Sequence, residues 1–213
     1  MLSNAPTAGS YKERLFADAD RLAAPPAAVS HEQVLAVLLE QVQPVDFRAK
    51  AALDDEKDKL RTAHYMVLIV QELLQPAGRN SWGLCRRQGF LYSYNGAYWR
   101  QLDEATLRAF LKQVAERLGV PPMTARYHGF SEQLYKQFLD TVSLPAPVPK
   151  TRAVVQVNLL NGTFEVGANE QKLRPPAPAD FLTHQLPFAY VPTATAPRWL
   201  AFLDKVVPDE ASQ

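Results

Sequence analysis

The amino-acid sequence predicts an α+β fold, mostly helical, with a small antiparallel sheet built from two Asn-Gly hairpins. Three observations carry this expectation. Apolar residues recur at three- and four-residue spacing in most segments, the stripe of a packed helix. At residues 90–100 and 154–166 the period drops towards two, as in a strand. The 17 prolines cluster between these segments, at 25–26, 121–122, 145–149 and 175–178, where the missing amide hydrogen interrupts no ladder.

Taken in order, residues 1–29, rich in alanine and proline, read as a weakly ordered lead-in. A helix starts at Ser30, with Gln33 as capping-box partner and Leu35, Leu38, Leu39 and Val42 as its stripe. A longer helix is expected over 51–74, striped by Leu60, Ala63, Val67, Val70 and Leu74 and closed by Pro76 and Gly78. Residues 90–94 and 97–100 read as a hairpin turning at Asn95-Gly96, a pair that accepts the two positive φ angles of a primed turn. Asp103 caps a helix striped by Leu107, Phe110, Leu111, Val114 and Leu118, which Gly119 ends. Ser131 begins another, containing Leu134, Tyr135, Phe138, Leu139 and Val142. A second hairpin joins 154–160 to 163–166 through Asn161-Gly162, and 174–191 reads as extended. The last helix follows Pro197 and carries Trp199, Phe202, Leu203 and Val206 on one face. The chain thus divides into the lead-in 1–29, a helical region 30–78 and an α+β region 79–213.

Composition narrows the function classes. Hydrophobic residues make up 47% of the 213, enough for a core, and the net charge is +1, so a nucleic-acid surface requires local clustering of charge. A lone cysteine, Cys85, allows no intramolecular disulfide and suits a reducing cytoplasm. The longest apolar run, 65–70, is too short to span a bilayer, and the N-terminus lacks the layout of a signal peptide. A cytoplasmic protein without a membrane partner is expected.

Catalytic chemistry finds no foothold. The phosphate loop GxxxxGK[ST] is absent, and His31, His64, His128 and His184 are scattered without zinc-ligand spacing. Asp54, Asp55, Glu56 and Asp58 alternate with Lys57 and Lys59, the pattern of a solvated face rather than a metal site. Cys85 lies beside Arg86 and Arg87, which would favour a thiolate, but no base partner accompanies it. No catalytic role, metal or cofactor is expected. One segment stands out: between Leu73 and Leu102 there is no acidic residue, while Arg79, Arg86, Arg87 and Arg100 are candidates for nucleic-acid phosphates. Trp82, Phe90, Tyr92, Tyr94, Tyr98 and Trp99 share the window. These rings either stack on bases or fill the core, and strand alternation favours the core for Phe90, Tyr92 and Tyr94.

The second hairpin, 157–166 (VNLLNGTFEV), resembles the N-x-x-N-G-hydrophobic hairpin of phage and plasmid primase-helicases. It is followed, as in that family, by a proline-rich stretch, by FLTHQLPF at 181–188, and by PRWLAFL at 197–203. The upstream YSYNGAYW at 92–99 is similar to the family's tyrosine, Asn-Gly, Tyr-Trp hairpin, so the likeness covers about residues 60–207. The family is that of poxvirus-type primase-helicase N-terminal-like domains beside superfamily 3 helicase modules. The resemblance implies a collar or linker domain of a mobile-element DNA primase-helicase that guides DNA, and the arginines and aromatics of 73–102 suit a single strand. Its other partners would be an adjacent helicase ATPase module or further subunits of the same protein. The sequence would then be part of a longer protein or one piece of a split one. The rival expectation is a stand-alone protein-interaction module without DNA affinity, docking through the Trp199 helix and the proline-rich strand.

Overall fold

A computed structural model describes residues 29–53, 57–144, 154–168 and 170–206; the expected lead-in, the Asp54-Asp55-Glu56 run and the proline link at 145–149 lie outside the described residues. Helix α1 (His31–Gln41) begins as its capping box requires, with Ser30 Oγ accepting from the Gln33 amide at 3.3 Å. Asp46 then caps a separate short helix, α2 (Phe47–Lys50), by accepting from the Arg48 and Ala49 amides. The long helix is α3 (Thr62–Arg79).

This corrects the expected 51–74 helix at both ends. Ala51 closes α2 and Ala52 takes a positive φ of 51°, a left-handed residue that no helix continues through. At the far end Pro76 is buried inside α3, whose last turn runs on to Arg79. A proline deletes one helical hydrogen bond, and here packing against the core outweighs that loss. The buried face is also rotated: Met66, Ile69 and Leu73 go inward, while Val67 is exposed. His64 accepts the Arg61 amide hydrogen at Nδ1 (3.3 Å) and so caps α3.

Strands β1 (Gly83–Arg87), β2 (Phe90–Tyr94) and β3 (Trp99–Leu102) form an antiparallel sheet in sequence order. Strand β1 was not foreseen. Its free edge is partly closed by the chain after α6 (His128–Thr141), where the Arg86 amide donates to Val142 O and Leu144 N to Arg86 O. Between sheet and α6 run α4 (Glu104–Leu118), capped by Asp103 and ended by Gly119 at φ 106°, and the short α5 (Pro122–Arg126). All five stripe residues of α4 are buried as expected. One core spans Val34 to Val142, drawing residues from both sides of position 78.

The second sheet, β4 (Val155–Leu159), β5 (Gly162–Val166) and β6 (Gln171–Arg174), is also antiparallel, so there are two three-stranded sheets in place of the single expected one. Register puts Gln156, Asn158, Thr163, Glu165 and Arg174 on one face, and Val155, Val157, Phe164, Val166 and Leu173 on the other. The polar face turns inward: Asn158 Nδ2 donates to Ala97 O at 3.1 Å, and Asp180 pairs with Arg174 at 2.7 Å. The Arg174 guanidinium and the Gln156 amide hold the Glu165 carboxyl down to about 2. The apolar face is only partly covered, chiefly by Tyr190 stacked on Phe164 at 4.5 Å. Helix α7 (Pro197–Val206) forms where expected but buries none of its residues; Trp199 is 57% exposed.

The start of α1 is tied to the first sheet. Asn95 Nδ2 donates to Val29 O, and His31 Nε2, facing Tyr98 O at 3.1 Å, donates to it. Burial, the largest effect, lowers the His31 pKa below 6.5; the bond to Tyr98 O opposes it, Arg100 adds to the lowering, and Glu32 acts more weakly against it. Such a histidine contributes stability that is full above the unfolded value of about 6.5 and is lost as pH falls towards the lower folded value. Resistance to thermal unfolding should therefore weaken below about pH 6.5. This loss should be smaller in a His31→Gln variant; equal pH profiles would remove His31 as its source.

Candidate nucleic-acid interface

The four candidate arginines do not share one sheet face. Pairing of Arg86 with Leu91 and of Arg100 with Ser93 places both on the face that packs on the helices. Arg87, opposite Phe90, projects from the other face. Arg79 ends α3 and is exposed, where a cation complements the negative end of the helix dipole.

Their surroundings differ as well. Arg100 forms an ion pair with Glu32 of α1. The acid-free window concealed this because the carboxylate comes from 68 residues upstream. Arg87 is half-buried, its guanidinium 3.9 Å above the Phe181 ring. Arg79 and Arg86 are exposed and have no carboxylate partner among the described residues. Arg86 is thus held by its backbone on both sides while its side chain faces solvent.

The aromatic residues of the window divide sharply. Tyr94 and Trp99 are buried with Cys85 in a second small core, closed by Tyr92 and Phe181. Trp82 packs against the main core, and Tyr98 meets His31 edge-on at 4.5 Å. Phe90 alone of the six is exposed, at 53%, which corrects the expectation that it fills the core. The reason is its place at the end of the hairpin, next to the Gln88-Gly89 turn. The Cys85 thiol, in turn, is buried, and burial pushes its pKa up to about 12, with Arg87 only partly opposing this, so the thiolate that the neighbouring arginines would favour is disfavoured.

The turns also differ from expectation. The primed turn, with positive φ at both central residues, is Gln88-Gly89 (φ 51° and 85°), joining Arg87 to Phe90. Asn95-Gly96 belongs to the four-residue connection between Tyr94 and Trp99, and only Gly96 has positive φ. Asn95 instead accepts the Ala97 and Tyr98 amides at Oδ1, both at 3.1 Å. In the second hairpin Leu159 pairs with Gly162, so the turn residues are Leu160 and Asn161.

The two asparagines of the N-x-x-N-G pattern act as clamps. Asn158 Nδ2 also donates to His184 O, while Asn161 exchanges two hydrogen bonds with the Tyr190 backbone, each 2.9 Å. They hold the irregular 184–190 segment against the hairpin. Phe181, which closes the second core, was not singled out from the sequence; its φ of 53° carries no local signal in a phenylalanine.

Among the described residues no cluster of three or more His, Cys, Asp or Glu could hold a metal ion, and no helix is long and apolar enough to cross a membrane. No curated protein matches the chain. The family described as D5 N terminal like matches residues 61–208, the stretch that holds both sheets, the asparagine clamps and α7. With more than half of its length matched, the chain belongs to the D5 N terminal like family, the domain found in phage and viral primase-helicase proteins.

Proposed function

We propose that this domain is a non-catalytic collar of a mobile-element DNA primase-helicase, contacting single-stranded DNA and packing against the helicase module or further subunits. Family membership supplies the replication context. The observation that carries the DNA contact is the solvent-facing pair Arg79 and Arg86, without carboxylate partners among the described residues, with Arg87 on the same hairpin as Arg86. Arg100, neutralised by Glu32, contributes least. The packing role rests on α7, whose Trp199, Leu200, Phe202 and Val206 are all more than half exposed, and on the outward apolar face of the second sheet.

Phosphate contacts release counterions, so binding to a single strand weakens with salt by a slope of roughly 0.7 per contact. The double variant Arg86→Glu/Arg87→Glu should bind labelled oligonucleotides more weakly and flatten the slope by about 1.4 or more. Circular dichroism should show the fold retained. Equal affinities and slopes for wild type and variant would move the assignment to a protein-interaction module without DNA affinity, a reading that the exposed α7 independently favours.

A further inference from the structure

We infer that the tip of the β1–β2 hairpin is a single-nucleotide site for single-stranded nucleic acid, in which Phe90 stacks on a base and Arg87 holds the neighbouring phosphate. The inference deepens the DNA-contacting reading above and rests on it.

A single exposed apolar side chain is ordinary on protein surfaces and carries nothing alone. Three features set Phe90 apart. Its cross-strand partner is Arg87, so the ring and the guanidinium stem start from directly opposed positions on one sheet face. Such Cβ atoms are about 4.5–5.5 Å apart, a separation comparable to the sugar that joins a base to its phosphate. The turn between them, Gln88-Gly89, is a tight primed turn, so the pair is presented by a stiff backbone.

The third feature is the state of Arg87. Its guanidinium carbon lies over the Phe181 ring, 3.9 Å from the centroid, and Phe181 in turn stacks on Trp99 at 5.2 Å. This cation–π contact holds the guanidinium beside the hairpin without consuming its N–H donors, which stay able to pair with a phosphate. No carboxylate competes for it among the described residues, and the hairpin lies within the acid-free stretch between Leu73 and Leu102. A ring able to stack beside an oriented cation favours a nucleotide over a lipid surface, which would call for several apolar groups at the tip.

The test uses the full chain and fluorescein-labelled oligo(dT) across a salt series. Phe90→Ala should lose about 5- to 150-fold in affinity, the range that stacking on one base supplies. Because no phosphate contact is removed, its salt slope should equal that of wild type. Arg87→Gln should instead flatten the slope by about 0.7. Phe90→Trp should retain affinity, and its added indole emission should be quenched by the oligonucleotide beyond the quench of wild type. Phe90 is exposed, so the unfolding midpoint of Phe90→Ala should be unchanged. Wild-type binding with equal affinity in Phe90→Ala overturns this site while leaving the arginine surface intact. Absence of wild-type binding at low salt overturns the DNA-contacting reading and this inference together.

Discussion

Replacing Trp99 by alanine should destabilise the domain by about 3–5 kcal/mol, as expected for emptying the site of a buried large aromatic. The indole is 4% exposed and lies between Phe181 at 5.2 Å and Tyr94 at 5.1 Å. It also covers Gly83, where a Cβ would come within 2.8 Å of the ring. Its Nε1 donates to Pro178 O at 2.9 Å and its backbone amide to Leu182 O at 2.8 Å. The alanine variant keeps the second bond but loses the first, together with the wall that seals Cys85. Trp99 therefore joins the first sheet to the segment leading out of the second. Trp99→Phe, which keeps a ring but not the N–H, should cost less than half as much. Chemical denaturation of both variants checks this; a loss for Trp99→Ala within about 0.5 kcal/mol, the range of ordinary surface changes, would contradict it.

Gly162→Val should cost about 2–6 kcal/mol, the sum of two independent penalties. Gly162 has φ of 147°, a conformation strained for any side chain, and such strain costs about 1–3 kcal/mol. The second penalty is steric. A Cβ at this position would lie 2.5 Å from Arg174 O, a backbone atom that cannot swing aside as a flexible side chain can. Overpacking of this kind typically adds about 1–3 kcal/mol. To make room, β6 would have to move off β5, carrying with it the Arg174 guanidinium that pairs with Glu165 and Asp180. Amide exchange should accordingly rise first at 171–174, and Gly162→Ala should already show much of the effect. An unchanged unfolding midpoint and slope in the valine variant would mean that β5 and β6 do not pair as described.

How much of this was legible in the sequence depends on how far apart the deciding atoms are. Ser30 with Gln33, Asp103 with Thr106, and Gly119 after Leu118 each mark a helix end through contacts three or four residues long, and all three appear where expected. The α4 stripe and the existence of α7 were readable for the same reason, since both follow from one local period. The turns were readable only as regions. An Asn-Gly pair tolerates positive φ without demanding it, and Asn95 found partners in the Ala97 and Tyr98 amides and in Val29 O that fixed a different connection.

The candidate interface was legible as a run of charge and not as a surface. Counting residues between Leu73 and Leu102 located the four arginines, but sheet alternation sent Arg87 to one face and Arg86 to the other, and Glu32 reached Arg100 from another helix. Likewise, alternation in 90–94 and 154–166 announced strands without saying which face would be covered. The polar face of the second sheet turns inward because Ala97 O, Asp180 and His184 O supply partners for its side chains, groups from distant parts of the chain. The sequence by itself determined α1, α4 and α7, the caps of α1 and α4, the two hairpin regions and the family, because each is written in local spacing or in the order of short motifs. The tertiary structure alone decided turn register, the buried sheet face, which ring of the 73–102 window stays exposed and which arginines find partners, because those depend on which remote groups compete for the same donor, acceptor or patch of surface.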